Sequence, residues 1–285
     1  MSAAALPSEI GSHAVAIALE AIRVDGGVRA TFASVDRQTR IARLGEHGGY
    51  RMLFPRTNSA RAEAVVINTG GGVVGGDRVV FDIRAEADAD VAVTTQAAER
   101  IYRSVGPFST LDVHLGVAAG ARLAWVPQET ILFSGARLQR RIEVDIADGG
   151  TVLLAESTVF GRIASGEVMQ DGRLHDIWRV RRDGCLVFAE ATRLDDVSKA
   201  TLGRSAVLGG AAAASLLLCV GPDAEARLPA VREARSGFRG EAGASAWNGM
   251  LIMRCVAAAP EDMRHDVMRA IAILSGAPLP RVWSM

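Results

Sequence analysis

Cysteine is scarce in this chain of 285 residues: Cys185, Cys219 and Cys255 stand more than thirty positions apart. Disulfide frameworks and zinc knuckles need closely spaced thiols, so neither is written here, and a reducing compartment, the cytoplasm, is expected. Net charge is lacking too, with 32 basic against 32 acidic side chains. No broad positive field is available to gather phosphates, which argues against a nucleic-acid partner. A membrane-spanning run is also missing. The longest apolar stretch, 205–220, falls short of the roughly 20 residues that cross a bilayer; it is rich in Gly and Ala and reads as a buried strand or hairpin. Residues 1–21 have no basic n-region and carry Glu9 and Glu20, so no export signal is expected.

Local catalytic and metal motifs are equally sparse. Among His13, His47, His114, His175, His265 and the three cysteines, no two lie within four positions, which leaves no local zinc or metalloprotease pattern. Ser134 and Ser165 each have glycine on one side only, so neither forms a nucleophile elbow. All three cysteines fall in apolar, strand-like surroundings, where burial keeps a thiol inert. No enzyme is assembled by these residues.

What is present is 49% hydrophobic residues, enough for a large core, read as a single domain over 1–285. Over about 1–200 the pattern is a β-rich scaffold. Val79, Phe81 and Ile83 alternate with polar neighbours or Val80, as do Val113 with Leu115 and Ile142 with Val144 and Ile146. Period two with β-branched residues is the signature of half-buried strands. Further strands fit 14–24, 28–34, 61–68, 91–96, 123–126, 151–160, 176–182 and 185–191. The remaining 201–285 read as strands, including 250–256, plus two helices over 222–234 and 260–274, each opening on proline and acidic residues. A strand, turn and strand recur at a spacing of about thirty residues, with Phe81, Val113 and Val144 in equivalent places. Stacked hairpin-like units predict a mainly β chain of layered or β-helix-like sheets.

The segment Asn68-Thr69-Gly70-Gly71-Gly72-Val73-Val74-Gly75-Gly76-Asp77 is the most conspicuous. Gly70, Gly72 and Gly75 satisfy dinucleotide spacing, which gives an alternative reading as a nucleotide- or small-ligand-binding β protein using loop 70–77. Against it, the sequence after Gly76 reads as a strand, whereas pyrophosphate recognition needs a helix N-terminus. Acidic residues also sit at strand ends or in glycine turns: Glu63, Asp77, Glu129, Glu156 and Glu167.

Five blocks complete the picture: Gly71-Gly72-Val73-Val74-Gly75-Gly76-Asp77; Thr94-Thr95-Gln96 with Tyr102-Arg103-Ser104; Leu123-Ala124-Trp125-Val126-Pro127-Gln128-Glu129; Gly161-Arg162 with Gly166-Glu167; and Pro280-Arg281-Val282-Trp283. In order and spacing, from about residue 18 to 285, they resemble the signature blocks of urease accessory protein D, the UreD/UreH family. One departure is Asn68-Thr69, where many members have a proline nearby. The resemblance implies a non-enzymatic nickel metallochaperone scaffold, mostly β with two helices. Its implied partners are accessory protein F, the GTPase accessory protein G through F, and apo-urease, with no membrane. It further implies an internal water-filled path for transient nickel(II), with no tightly bound cofactor, and poor solubility alone. Asp77, Glu129 and Glu167 match acidic positions of the blocks, and are expected on the nickel path, with Glu63 and Glu156 as second choices. The competing role for Glu129 and Glu167 is structural, as acceptors from turn amides or partners of Arg103 or Arg162.

Overall fold

The structure, a computed structural model, describes residues 23–57 and 59–284. One sheet joins β1 (Asp25–Val35), β2 (Gln38–His47), β5 (Arg78–Ala85), β8 (Ser109–Val117), β11 (Arg137–Ile146), β13 (Arg173–Arg182) and β14 (Cys185–Leu194), in the order β14-β13-β11-β8-β5-β1-β2. Its five inner strands are parallel and its two edges antiparallel. The other joins β3 (Tyr50–Leu53), β4 (Ala62–Asn68), β6 (Asp90–Thr95), β9 (Arg122–Trp125), β12 (Thr151–Phe160), β15 (Ala213–Val220), β16 (Glu241–Trp247) and β17 (Met250–Ala257), in the order β16-β17-β15-β12-β9-β6-β4-β3. The run β4-β6-β9-β12 is parallel. Through β4, β5, β6, β8, β9, β11, β12 and β13 the chain passes from one sheet to the other at each step, winding a two-sheet solenoid. Short strands β7 (Glu99–Ile101) and β10 (Thr130–Leu132) form a side ladder with the end of β12.

The repeat of about thirty residues is the solenoid rung. Phe81 pairs Val113 and Val113 pairs Ile142, so Ile142, not Val144, takes the place expected in the third unit. A slip of two residues leaves the inward face unchanged, which is why the alternation concealed it. At one corner each rung makes the same turn. Asp88, Gly120 and Gly149 all adopt positive φ, and the turns close through Ala89 N to Glu86 O, Ala121 N to Ala118 O, and Gly150 N to Ala147 O. Only residues that tolerate the left-handed region serve there.

Two cores result. Inward residues such as Val79, Phe81, Ile83, Val113, Ile142, Val144, Leu123, Trp125 and Leu154 fill the space between the sheets. The outer face of the second sheet (Ala124, Leu153, Leu217, Leu251, Met253) is covered by helices α2 (Leu228–Ala234) and α3 (Pro260–Ser275). Covered on both faces, β12 is buried almost throughout, whereas β8 alternates buried with more exposed positions. In α3, Pro260 stands in the first turn with Glu261 and Asp262, while Met263, Val267, Ile271 and Leu274 point into the core and Gly276 (φ 61°) ends the helix.

Several expectations need correction. Strands β2, β3, β7, β10 and β16 were not legible: β2 is almost wholly exposed and carries no apolar alternation, and β7 and β10 are three residues each. The stretch 205–220 is a strand only from Ala213, with turns at Gly209 and Gly210 before it, and a short helix α1 (Lys199–Leu202) precedes it. The helix expected over 222–234 begins at Leu228. Cys185 is exposed on β14, whereas Cys219 and Cys255 are buried as expected, burial pushing their thiols up to about 11 and about 12. The strand expected over 14–24 lies outside the described residues, apart from Arg23 and Val24 ahead of β1.

Candidate functional site: the loop end and the interior of the solenoid

The glycine, tyrosine, glutamine and arginine blocks occupy successive rungs at the end opposite the uniform turns. They stack. Tyr102 lies on Gly72, where a Cβ would come within 2.3 Å of its ring, and its hydroxyl donates to Gly71 O at 3.1 Å. Tyr102 meets Phe133 edge to face at 4.9 Å, and the Arg162 guanidinium covers Phe133 at 4.7 Å. Ser104 fills the space beside Gly75, and Arg103 lies against Gly135. Three sequence blocks are therefore joined, with Phe133 and Gly135, in one column of contacts.

Asp77 is buried in the glycine loop and accepts from Val24 N at 2.8 Å and Val74 N at 2.9 Å. Its carboxylate ties the loop to the chain ahead of β1. The loop then leads directly into β5, so no helix N-terminus faces a phosphate. Glu167 accepts from Arg162 through both backbone N and guanidinium at 3.0 Å, a pairing that holds its carboxyl below the usual range. Glu129 pairs with Arg264 of α3 at 2.9 and 3.1 Å, not with Arg103 or Arg162. Arg264 also bonds Gln128 and lies over the Trp283 ring at 4.8 Å. The Trp283 indole donates to Thr94 at 3.1 Å and to Val126 O at 3.2 Å, locking the C-terminal segment onto the solenoid. Glu63 accepts from Arg281 N at 2.9 Å in the same clasp. Gln96 is exposed on the loop after β6, and Gly161 and Gly166 adopt positive φ in the loop carrying Arg162.

Glu156 alone of the five candidate carboxylates lines the interior. A cavity of about 200 Å³ between the sheets is bounded by Tyr50, Glu99, Trp125, Pro127, Arg140 and Glu156, and reaches the surface beside Gly71, Gln96 and Ala97. A second, of about 450 Å³, is bounded by Arg140, Glu156, Asp176, Glu190 and Arg254, and reaches the surface beside Ala191 and Thr192. Between them the Arg140 guanidinium, 2% exposed, bridges Glu156 and Asp176. Burial works against its charge, but Asp176 and Glu156 more than offset this and hold it above the ordinary arginine range. Near the first opening, Asn68 and Tyr50 donate to Glu99 at 3.0 and 3.2 Å, and burial pushes the Glu99 carboxyl up. Among the described residues, no three His, Cys, Asp or Glu side chains cluster to hold a metal ion, and no helix is long and apolar enough to cross a membrane.

Glu99, Arg140, Asp176 and Glu190 were missed from sequence, although a signal existed. Leu138, Arg140 and Ile142 share one parity of β11, as do Leu174, Asp176 and Trp178 of β13, and Leu154 and Glu156 of β12. A charge at an inward position of an alternating strand marks a polar interior.

The fold and site define a class: a β-solenoid scaffold, flanked by helices, with a charged interior and one end built from stacked loops. The chain belongs to the UreD urease accessory protein family, whose family model matches residues 24–284. It is 45% identical over 286 residues to urease accessory protein UreD of Xanthobacter autotrophicus, covering 99% of both chains. It is 46% identical over 261 residues to the protein of that name from Rhodopseudomonas palustris, covering 92% of this chain and 93% of the relative. For Azorhizobium caulinodans the identity is 43% over 263 residues, covering 92% and 97%.

Proposed function

We propose that this chain is a cytoplasmic urease maturation factor, not an enzyme, which binds accessory protein F and apo-urease and passes nickel(II) inward through the solenoid. Accessory protein G, the nickel-carrying GTPase, reaches it through F. The observation that carries the reading is the pair of interior cavities, with Glu99 and Glu156 lining one and Glu156, Asp176 and Glu190 the other. Nickel lies high in the Irving–Williams order, so imidazole or thiolate clusters would retain it. Dispersed carboxylates, each already engaged by a neighbouring side chain, bind weakly enough to release a cargo, as conduction demands. Partner binding is supported by Val74, Val105, Ile163 and Val168, exposed on loops of the stacked end.

The test is co-expression of urease subunits with accessory proteins F and G, with and without this chain, followed by pull-down and nickel analysis of the urease. Nickel loading that depends on the chain is expected, together with its loss in Glu156→Gln under limiting nickel. Full loading without the chain refutes the delivery role.

A further inference from the structure

The two interior cavities share a wall, because Arg140 and Glu156 line both. Each carboxylate on the Arg140 guanidinium is held by an indole: Trp125 Nε1 donates to Glu156 at 2.8 Å, and Trp178 Nε1 donates to Asp176 at 3.1 Å. The carboxylates are therefore anchored, and the long arginine side chain is the member able to move. Alternative acceptors lie nearby: Thr130 Oγ1 is 3.5 Å from the guanidinium, and Thr130 lines the first cavity with Gln128, whose carbonyl oxygen also accepts from Arg264. Glu190 and Arg254 in the second cavity are already paired with each other.

The charge balance selects what can replace the guanidinium. One cation faces two carboxylates. A monovalent ion would restore only the same balance while giving up the directed N–H bonds of the guanidinium, whereas a dication neutralises both carboxylates. Resting on the delivery reading above, we propose that Arg140 is the gate of the passage and the source of its preference for divalent cations. With the bridge made, the cavities are separate. An arriving dication takes the guanidinium's place between Glu156 and Asp176, and Arg140 turns towards Thr130 and Gln128. On return, the guanidinium competes for the same carboxylates and releases the ion onward, so the passage conducts without storing.

The full-length chain is titrated with Ni²⁺, and with Na⁺ as control, while the emission of its buried tryptophans is followed; nickel between the two carboxylates quenches Trp125 and Trp178. The wild-type chain should give weak, saturable quenching with Ni²⁺ only. Arg140→Gln should tighten nickel binding on the order of ten-fold, since a competing cation is gone, and Arg140→Lys, which keeps the charge but loses the bidentate fork, should fall between it and wild type. A folded Arg140→Gln with unchanged affinity overturns the gate. Should Arg140→Gln not fold, Glu156→Gln decides: it keeps an acceptor for Trp125, and persistent quenching in it overturns the proposal. Tightened binding in Arg140→Gln, with urease loading indifferent to the chain, keeps the gate and removes the delivery role. Loading that requires the chain, with unchanged affinity in Arg140→Gln, does the reverse.

Discussion

Asp77→Ala separates a structural carboxylate from one that handles cargo. Asp77 is 3% exposed and serves two backbone amides, Val24 N and Val74 N. Hydrogen bonds to a charged acceptor contribute about 1.5–3 kcal/mol each, and a buried amide left without a partner bears its desolvation cost. Losing both should destabilise the chain by about 3 kcal/mol or more, or roughly 6–12 °C in midpoint at about 2–4 °C per kcal/mol for a chain of this size. Asp77→Asn retains one carbonyl oxygen but turns an amide N–H₂ towards the second backbone donor, so it should fall between. The assay is thermal unfolding followed by circular dichroism, beside urease nickel content normalised to folded chain. Nickel loading should fall only with the folded amount. A midpoint within about 2 °C of wild type, combined with reduced loading per folded chain, would place Asp77 on the cargo path and refute the capping argument.

Gly75→Ala puts a Cβ 2.0 Å from Ser104 Oγ and 2.9 Å from Pro107 O, an overpacking cost of about 1–3 kcal/mol; urea midpoints should recover in part when Ser104→Gly is added. Trp283→Ala removes a buried ring with its bonds to Thr94 and Val126 O, and about 3–5 kcal/mol of stability should go with it. Urea unfolding of wild type and variant side by side reads that loss, and unchanged stability would show that the C-terminal clasp is idle. Glu99 gives a pH prediction. Burial raises its carboxyl pKa, so the folded state binds the proton more tightly than the unfolded state, and this group's contribution is lost as pH rises from the ordinary carboxylate range through the raised value. Glu99→Gln should flatten the stability curve over that window and be the more stable form at neutral pH. Superimposable curves for the two proteins would contradict it.

The solenoid was legible because stacking imposes one inward parity on every rung, and that parity survives in the period-two strands. Register was less legible: Val144 and Ile142 share a face, so a slip of two costs the pattern nothing. The exposed edge β2 left no trace because a strand that buries neither face needs no apolar alternation. The loop blocks were found, but their contacts were not. Tyr102 on Gly72, Ser104 beside Gly75 and Arg264 on Glu129 join positions about thirty residues or far more apart, and spacing alone does not say that rungs bring them together. The candidate carboxylates other than Glu156, which lies mid-strand in β12, stand near strand ends or in glycine loops, features that mark turns. Turns use carboxylates as acceptors for amides and arginines, which is where Asp77 and Glu167 are engaged. Charges of the interior instead sit mid-strand among apolar neighbours, as Arg140 and Asp176 do.

Mid-strand charge is expensive, and that expense bears on function. Replacing a buried ion bridge by neutral groups of similar shape is often without cost or stabilising by about 1–4 kcal/mol, whereas removing one partner alone costs about 3–5 kcal/mol. The bridge here spans three strands, β11, β12 and β13, whose neighbouring inward positions are apolar except for Thr158 of β12. A triple variant, Arg140→Met with Glu156→Gln and Asp176→Asn, removes every charge of the bridge and leaves carbonyl acceptors for Trp125 and Trp178. If the bridge is there to hold the fold, this variant should lose about 3 kcal/mol or more. If it is there for a cation to displace, the variant should unfold at the wild-type midpoint or above it, and urease matured beside it should contain no more nickel than urease matured without the chain. The two outcomes are exclusive, and the apolar packing around the bridge favours the second.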